Sequence, residues 1–168
     1  MLEEARMTIH FNADEVFQMA EQIERNGAKF YRIAAERTAD PSAKQLLLDL
    51  AAMEVRHERI FAEMRSELTE EERKATFDPE GEAAAYLNAM ADGHVFDLRD
   101  PSKRLTGKES LDDLFRIAIG IEKDSIVFYV TMTDLVPARF GRGKIDGIIN
   151  EEQKHIALLS RAMSLLKK

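Results

Sequence analysis

Apolar residues recur at intervals of three and four along two separate stretches of the chain, the spacing of helices that bury one face. Asn12 with Glu15 reads as a capping box, and Val16, Phe17, Ala20 and Ile23 carry an apolar stripe toward Ala35, so a first helix ends near Thr38. Asp40 followed by Pro41 opens a second helix through Leu46, Leu50, Met53 and Phe61 to about Leu68. Ser110 starts a third with Leu114, Ile117, Ile121 and Phe128, which Pro137 should stop, and a fourth follows Gly141 and Gly143 to Leu166. The pattern predicts two antiparallel helical hairpins, at about 12–68 and 110–167. The connection between them, 69–109, carries a capping sequence at Thr69 to Glu72 and an amphipathic stretch from Glu80 to Ala91. A crossover of that length can traverse a bundle end to end, so the expected fold is all-α, a four-helix bundle in a single domain over 1–168.

The stripes are interrupted at matched places. On the second helix the inward series is Leu47, Leu50, Glu54, His57, Phe61; on the fourth it is Ile145, Ile148, Glu152, His155, Leu159. Glu24 interrupts the first helix between Phe17 and Tyr31, and Glu122 interrupts the third between Phe115 and Tyr129. An offset of 98 positions maps Glu24, Glu54 and His57 onto Glu122, Glu152 and His155, and also Ile23, Phe30 and Tyr31 onto Ile121, Phe128 and Tyr129. The hairpin is therefore duplicated. One Glu-x-x-His alone is common on solvated helix faces, where residues three apart share a side. Four carboxylates inside a core are another matter, because buried ionised groups need compensating cations or protons, and two divalent metals would balance four charges. The competing possibility, charged residues just outside an ordinary core with the repeat a relic of gene history, leaves the matched interruptions unexplained.

Composition narrows the chemistry. With no cysteine, disulfides, thiolate zinc sites and iron–sulfur clusters are excluded, and any metal must be held by carboxylate and imidazole. Such ligands suit iron or manganese, and zinc can occupy them too; iron is preferred because a redox pair needs it. In carboxylate-bridged four-helix bundles the Glu-x-x-His glutamates bridge and the lone glutamates terminate. Glu54 and Glu152 are then the bridges, Glu24 and His57 complete one metal, and Glu122 and His155 the other. A net charge of −7 argues against a nucleic-acid partner, and the cluster Arg139, Arg142, Lys144 reads as solvated surface. Met1 to Asn12 has no apolar core of signal-peptide length and no stretch reaches a membrane span, so a cytoplasmic protein without a membrane partner is expected. His10 and His94 have no counterpart in the repeat and are expected at the surface; Met7, Met19, Met53, Met64, Met90, Met132 and Met163 are expected to fill core gaps.

Both Glu-x-x-His motifs, together with Phe-Tyr six and seven residues after each lone glutamate (Glu24/Phe30/Tyr31 and Glu122/Phe128/Tyr129), make the chain resemble the ferritin-like superfamily and, within it, the rubrerythrin-type diiron proteins. The resemblance covers all four long helices. It implies two iron ions that react with hydrogen peroxide or dioxygen, a peroxidase or ferroxidase capacity, and a homodimer. Two departures matter. Rubrerythrins proper carry a cysteine-ligated iron domain, absent here, so turnover needs an external electron donor. They also place a glutamate one turn before the third-helix ligand, where this chain has Ile119; Glu21 holds the corresponding place on the first helix and is a candidate seventh ligand. Tyr31 and Tyr129, nearly two turns beyond a ligand glutamate, are expected to hydrogen-bond ligand carboxylates. Three functions stay open: a diiron oxidoreductase, an iron-handling protein with ferroxidase activity and no sustained cycle, and a bundle stapled by a static metal. Tyr86, Leu87, Val95 and Phe96 of the connection could cover the bundle or meet another subunit.

Overall fold

The computed structural model describes residues 11–76, 78, 81–91 and 100–166. Four long helices dominate: α1 (Ala13–Glu36), α2 (Pro41–Ser66), α5 (Leu111–Met132) and α7 (Asp146–Leu166). Their starts are fixed by side chains that satisfy the first free amides of each helix. Asn12 accepts from the Glu15 amide at 2.9 Å while the Glu15 carboxylate accepts from the Asn12 amide at 3.0 Å. Asp40 accepts from Ala43 at 2.7 Å ahead of Pro41, and Ser110 and Asp113 form a second reciprocal box. The shorter elements are α3 (Glu70–Lys74), α4 (Glu82–Ala91), a 3-10 turn (Pro101–Arg104), α6 (Ala138–Phe140) and a π turn (Gly141–Ile145).

The third helix ends earlier than expected, whereas the fourth, α7, starts at Asp146 after both glycines as expected and is led into by α6 and the π turn. α5 stops at Met132, well before Pro137, in turns closed by Thr133 to Tyr129 and Leu135 to Met132 hydrogen bonds. Pro137 instead precedes α6, where its fixed φ suits a helix start. Gly141 and Gly143 therefore lie inside the helical run, in its π turn, and Gly143 takes φ +100°, a conformation that a side chain would strain.

α1 packs along α2 and α5 along α7, with further contacts of α1 on α5 and α2 on α7. Two apolar cores result. The first gathers Phe17, Phe61, Phe128, Tyr129, Ile145 and Ile148; the second gathers Phe30, Tyr31, Leu47, Leu50, Phe115 and Leu159. The offset of 98 exchanges these two sets position by position, so the repeat acts as a pseudo-two-fold whose axis passes between the cores. Leu87 is buried in the first core and Tyr86 packs on it, so α4 covers the bundle; Val95 and Phe96 lie outside the described residues, as do His10 and His94. Asp14 ties the start of the connection to α1, accepting from Arg65 at 2.9 Å and Arg73 at 2.5 Å. Arg139 and Lys144 are paired with Glu72 and Glu67 at the surface. Among the described residues there is no strand, and no helix is long and apolar enough to cross a membrane.

Candidate metal centre

Between the two cores lies a polar layer. Glu24 on α1, Glu54 and His57 on α2, Glu122 on α5, and Glu152 and His155 on α7 all face it, none more than 4% exposed. Both histidines turn Nδ1 toward carboxylates. His57 Nδ1 lies 2.7 Å from Glu152 and 3.6 Å from Glu24; His155 Nδ1 lies 3.3 Å from Glu54, 3.4 Å from Glu122 and 3.7 Å from Glu152. The imidazole rings stack at 5.6 Å, inclined by 17°. Two groups with ligand atoms within 4.8 Å of one another emerge: Glu24, Glu54, His57 and Glu152, and Glu54, Glu122, Glu152 and His155. Glu54 and Glu152 belong to both.

Six atoms of this layer are buried without a well-directed hydrogen bond, close though the imidazoles and carboxylates stand: Glu24 Oε2, Glu54 Oε1, both oxygens of Glu152, and Nδ1 of each histidine. Buried acceptors left unsatisfied are costly, and here they converge, which is what a set of oxygen and imidazole donors for two cations requires. The residues fit that cargo. As they stand, protons balance the charge. Burial and then the Glu152 charge push the Glu24 carboxyl well up, burial and then Glu24 do the same to Glu54, and Glu122 is pushed up to about 8 by burial and its contact with Glu152. Burial disfavours imidazolium at both histidines, but the carboxylates outweigh it, raising His57 and pushing His155 up to about 12. Glu152 alone goes down: burial and Glu54 oppose its charge, yet contacts with Glu122, His155 and His57 prevail.

The tyrosines bond carboxylates across the hairpins. Tyr31 on α1 donates to Glu122 on α5, and Tyr129 on α5 donates to Glu24 on α1, so each serves the glutamate of the other half. Glu21 stands apart from both groups: its carboxylate faces Arg65 at 3.4 Å. Ile119, its counterpart, packs against the second core.

Three neighbours of the site escaped the sequence reading. Glu151 Oε2 accepts from Arg56 at 2.6 Å and lies 2.9 Å from His57 Nε2. Met53 does more than fill a gap, since its sulfur lies 3.1 Å from His155 Nε2. The signal was available: each immediately precedes a Glu-x-x-His glutamate, and the offset of 98 maps Met53 onto Glu151. The third is Gly27, where a Cβ would meet Glu54 Oε2 at 3.2 Å. Glycine at mid-helix costs roughly 1 kcal/mol relative to alanine, so the close approach of Glu54 explains its presence. Gly27→Ala is expected to keep helix content while weakening metal binding about tenfold by displacing Glu54. Isothermal titration beside circular dichroism checks this; unchanged affinity would mean Glu54 has room to yield.

The profile of the family described as Rubrerythrin matches residues 15–163. No curated protein matches the chain at a significant level. Among solved structures the chain is similar to a Thermotoga maritima protein described as a candidate ferritin-like diiron-carboxylate protein, with a TM-score of 0.67 and 22% identity over 92% of this chain and 96% of that one. That likeness shows the fold, a ferritin-like bundle.

Proposed function

We propose, since the chain belongs to the rubrerythrin family, that its buried centre holds two iron ions and reduces hydrogen peroxide or dioxygen with electrons from an external donor. The observation that carries this reading is the sharing of Glu54 and Glu152 by two four-residue donor groups whose remaining members, Glu24 with His57 and Glu122 with His155, differ. That is the layout of a bridged pair. Bound there, a ferrous pair supplies the two electrons that reduction of peroxide to water requires.

The protein's share of the work is positioning and insulation. Cores above and below the layer exclude water, which strengthens every electrostatic contact inside it. Tyr31 and Tyr129 orient Glu122 and Glu24, and their hydroxyl protons stay in place because burial and then the neighbouring carboxylate charges push both phenols well above their ordinary range. These 168 residues contain no cysteine, so they offer no thiolate ligands for a relay iron.

Tyr31→Phe and Tyr129→Phe each remove the donor that fixes one glutamate. Each is expected to weaken metal binding by about 10–100-fold, with the double variant weaker still. Anaerobic ferrous titration reads the effect; wild-type affinity in both would assign the phenols to packing alone.

Stopped-flow near-ultraviolet absorbance tests the reaction, after mixing anaerobically iron-loaded protein with peroxide and, separately, with dioxygen. Rapid oxidation that prefers peroxide and repeats after reduction is expected. A single oxidation that no reductant resets would favour iron handling, and no oxidation with two ions bound would favour a static staple.

A further inference from the structure

The repeat that makes the two halves of the centre alike fails at several positions, and one of these failures, Met53 against Glu151, touches both histidines. Nδ1 of each ring faces the carboxylates, leaving Nε2 to point away from them. Behind His57 this outer nitrogen meets Glu151 at 2.9 Å; behind His155 it meets the Met53 sulfur at 3.1 Å. Glu151 lies on α7 and serves a histidine of α2, while Met53 lies on α2 and serves a histidine of α7, so the contacts are related by the same pseudo-two-fold as the ligands. A carboxylate is a charged acceptor with several lone pairs, whereas a thioether is a weak one.

We propose that the two metal positions are unequal, the one built on His57 taking its ion first and more tightly, because Glu151 backs that histidine while Met53 backs the other. This rests on the two-metal reading above. With Nδ1 given to a cation, Nε2 carries the proton. A carboxylate accepting that proton draws electron density toward Nδ1 and fixes the ring, which makes the imidazole a better donor. Arg56 holds Glu151 in place from outside, 2.6 Å from the same oxygen that faces His57. The Met53 sulfur packs the His155 ring but offers little density in return. Loading is therefore ordered: Glu24, Glu54, His57 and Glu152 bind the first ion, and the position with Glu122 and His155 is the exchangeable one. Glu151 and Met53 are positioning residues that act through the imidazoles.

Anaerobic titration with cobalt(II), followed by calorimetry and visible absorbance, reads both steps at once. The wild type should bind two ions in steps whose affinities differ by about 10–100-fold. Glu151→Met should merge the steps by weakening the first. Met53→Glu should merge them by strengthening the second, a gain that loss of packing cannot produce; Lys154 stands at the counterpart of Arg56, so the new carboxylate has a basic neighbour available. A crystal soaked at one equivalent should show the ion beside His57. Two ions bound with equal affinity, or steps unchanged in both variants, would overturn the proposal while leaving the two-metal reading intact. A wild-type protein that binds no cobalt or ferrous ion would overturn both.

Discussion

Replacing Glu54 and Glu152 together by alanine is expected to take bound metal from about two ions per chain to near zero, with the helix content kept. Both donor groups contain these two carboxylates, so their loss leaves each group with one glutamate and one histidine, too few to hold a divalent ion against water. The single variants separate the roles. Glu24→Ala strips a residue that only the His57 group uses, and Glu122→Ala one that only the His155 group uses, so each should lose about one ion of the two. Metal analysis after desalting gives the counts, and circular dichroism shows whether the bundle persists. Two ions retained by the double variant would contradict the assignment of the shared carboxylates.

Thermal stability of the apoprotein is expected to fall as pH rises from about 5 to about 9. The sign follows from proton counts. Folding raises Glu24, Glu54 and Glu122, the last from 4.5 to about 8, so between those values the folded state binds protons that the unfolded chain has released. Stability then drops with rising pH, because the buried carboxyls must ionise next to one another. The histidines act in the same direction: with His57 raised and His155 pushed from 6.5 up to about 12, their favourable charge is fully present below the unfolded value and is lost as pH climbs through the folded one. Glu152, shifted down, contributes only below its ordinary value of 4.5 and leaves this window alone. For a chain of this size each 1 kcal/mol is about 2–4 °C, so a fall on the order of 10 °C is expected by calorimetry. Metal-loaded protein should lose this dependence, since cations replace the protons, and loading near neutral pH should release protons to a weak buffer. Apoprotein whose stability is flat or rises over the window would contradict a layer balanced by protons.

Much of the fold and the polar layer could be read from residue types because the relevant signals are local. Asn12/Glu15, Asp40/Pro41 and Ser110 mark helix starts through contacts within four residues, and the structure uses each of them. The burial of Glu24, Glu54, His57, Glu122, Glu152 and His155 was legible because each stands in an apolar stripe, where helical period alone fixes the face. What resisted reading depends on contacts between helices. Helical spacing puts Tyr31 on the face of Glu24, yet its hydroxyl reaches Glu122 on the neighbouring hairpin. Glu21 shares the face of Glu24 in the same one-helix view, but the approach of α2 brings Arg65 to it. Pro137, Gly141 and Gly143 look like breakers in isolation; the π turn accommodates both glycines and the proline opens the helical run. Glu151 resembles any exposed acid until His57 is seen across from it.

The most direct test of a shared two-metal centre is the crystal structure of the iron-loaded protein, with anomalous scattering measured at the iron edge. Two peaks between the apolar cores are expected, both touching Glu54 and Glu152, one beside Glu24 and His57 and the other beside Glu122 and His155. A single peak, or iron found only at surface carboxylates with this layer still closed on its protons, would contradict the account.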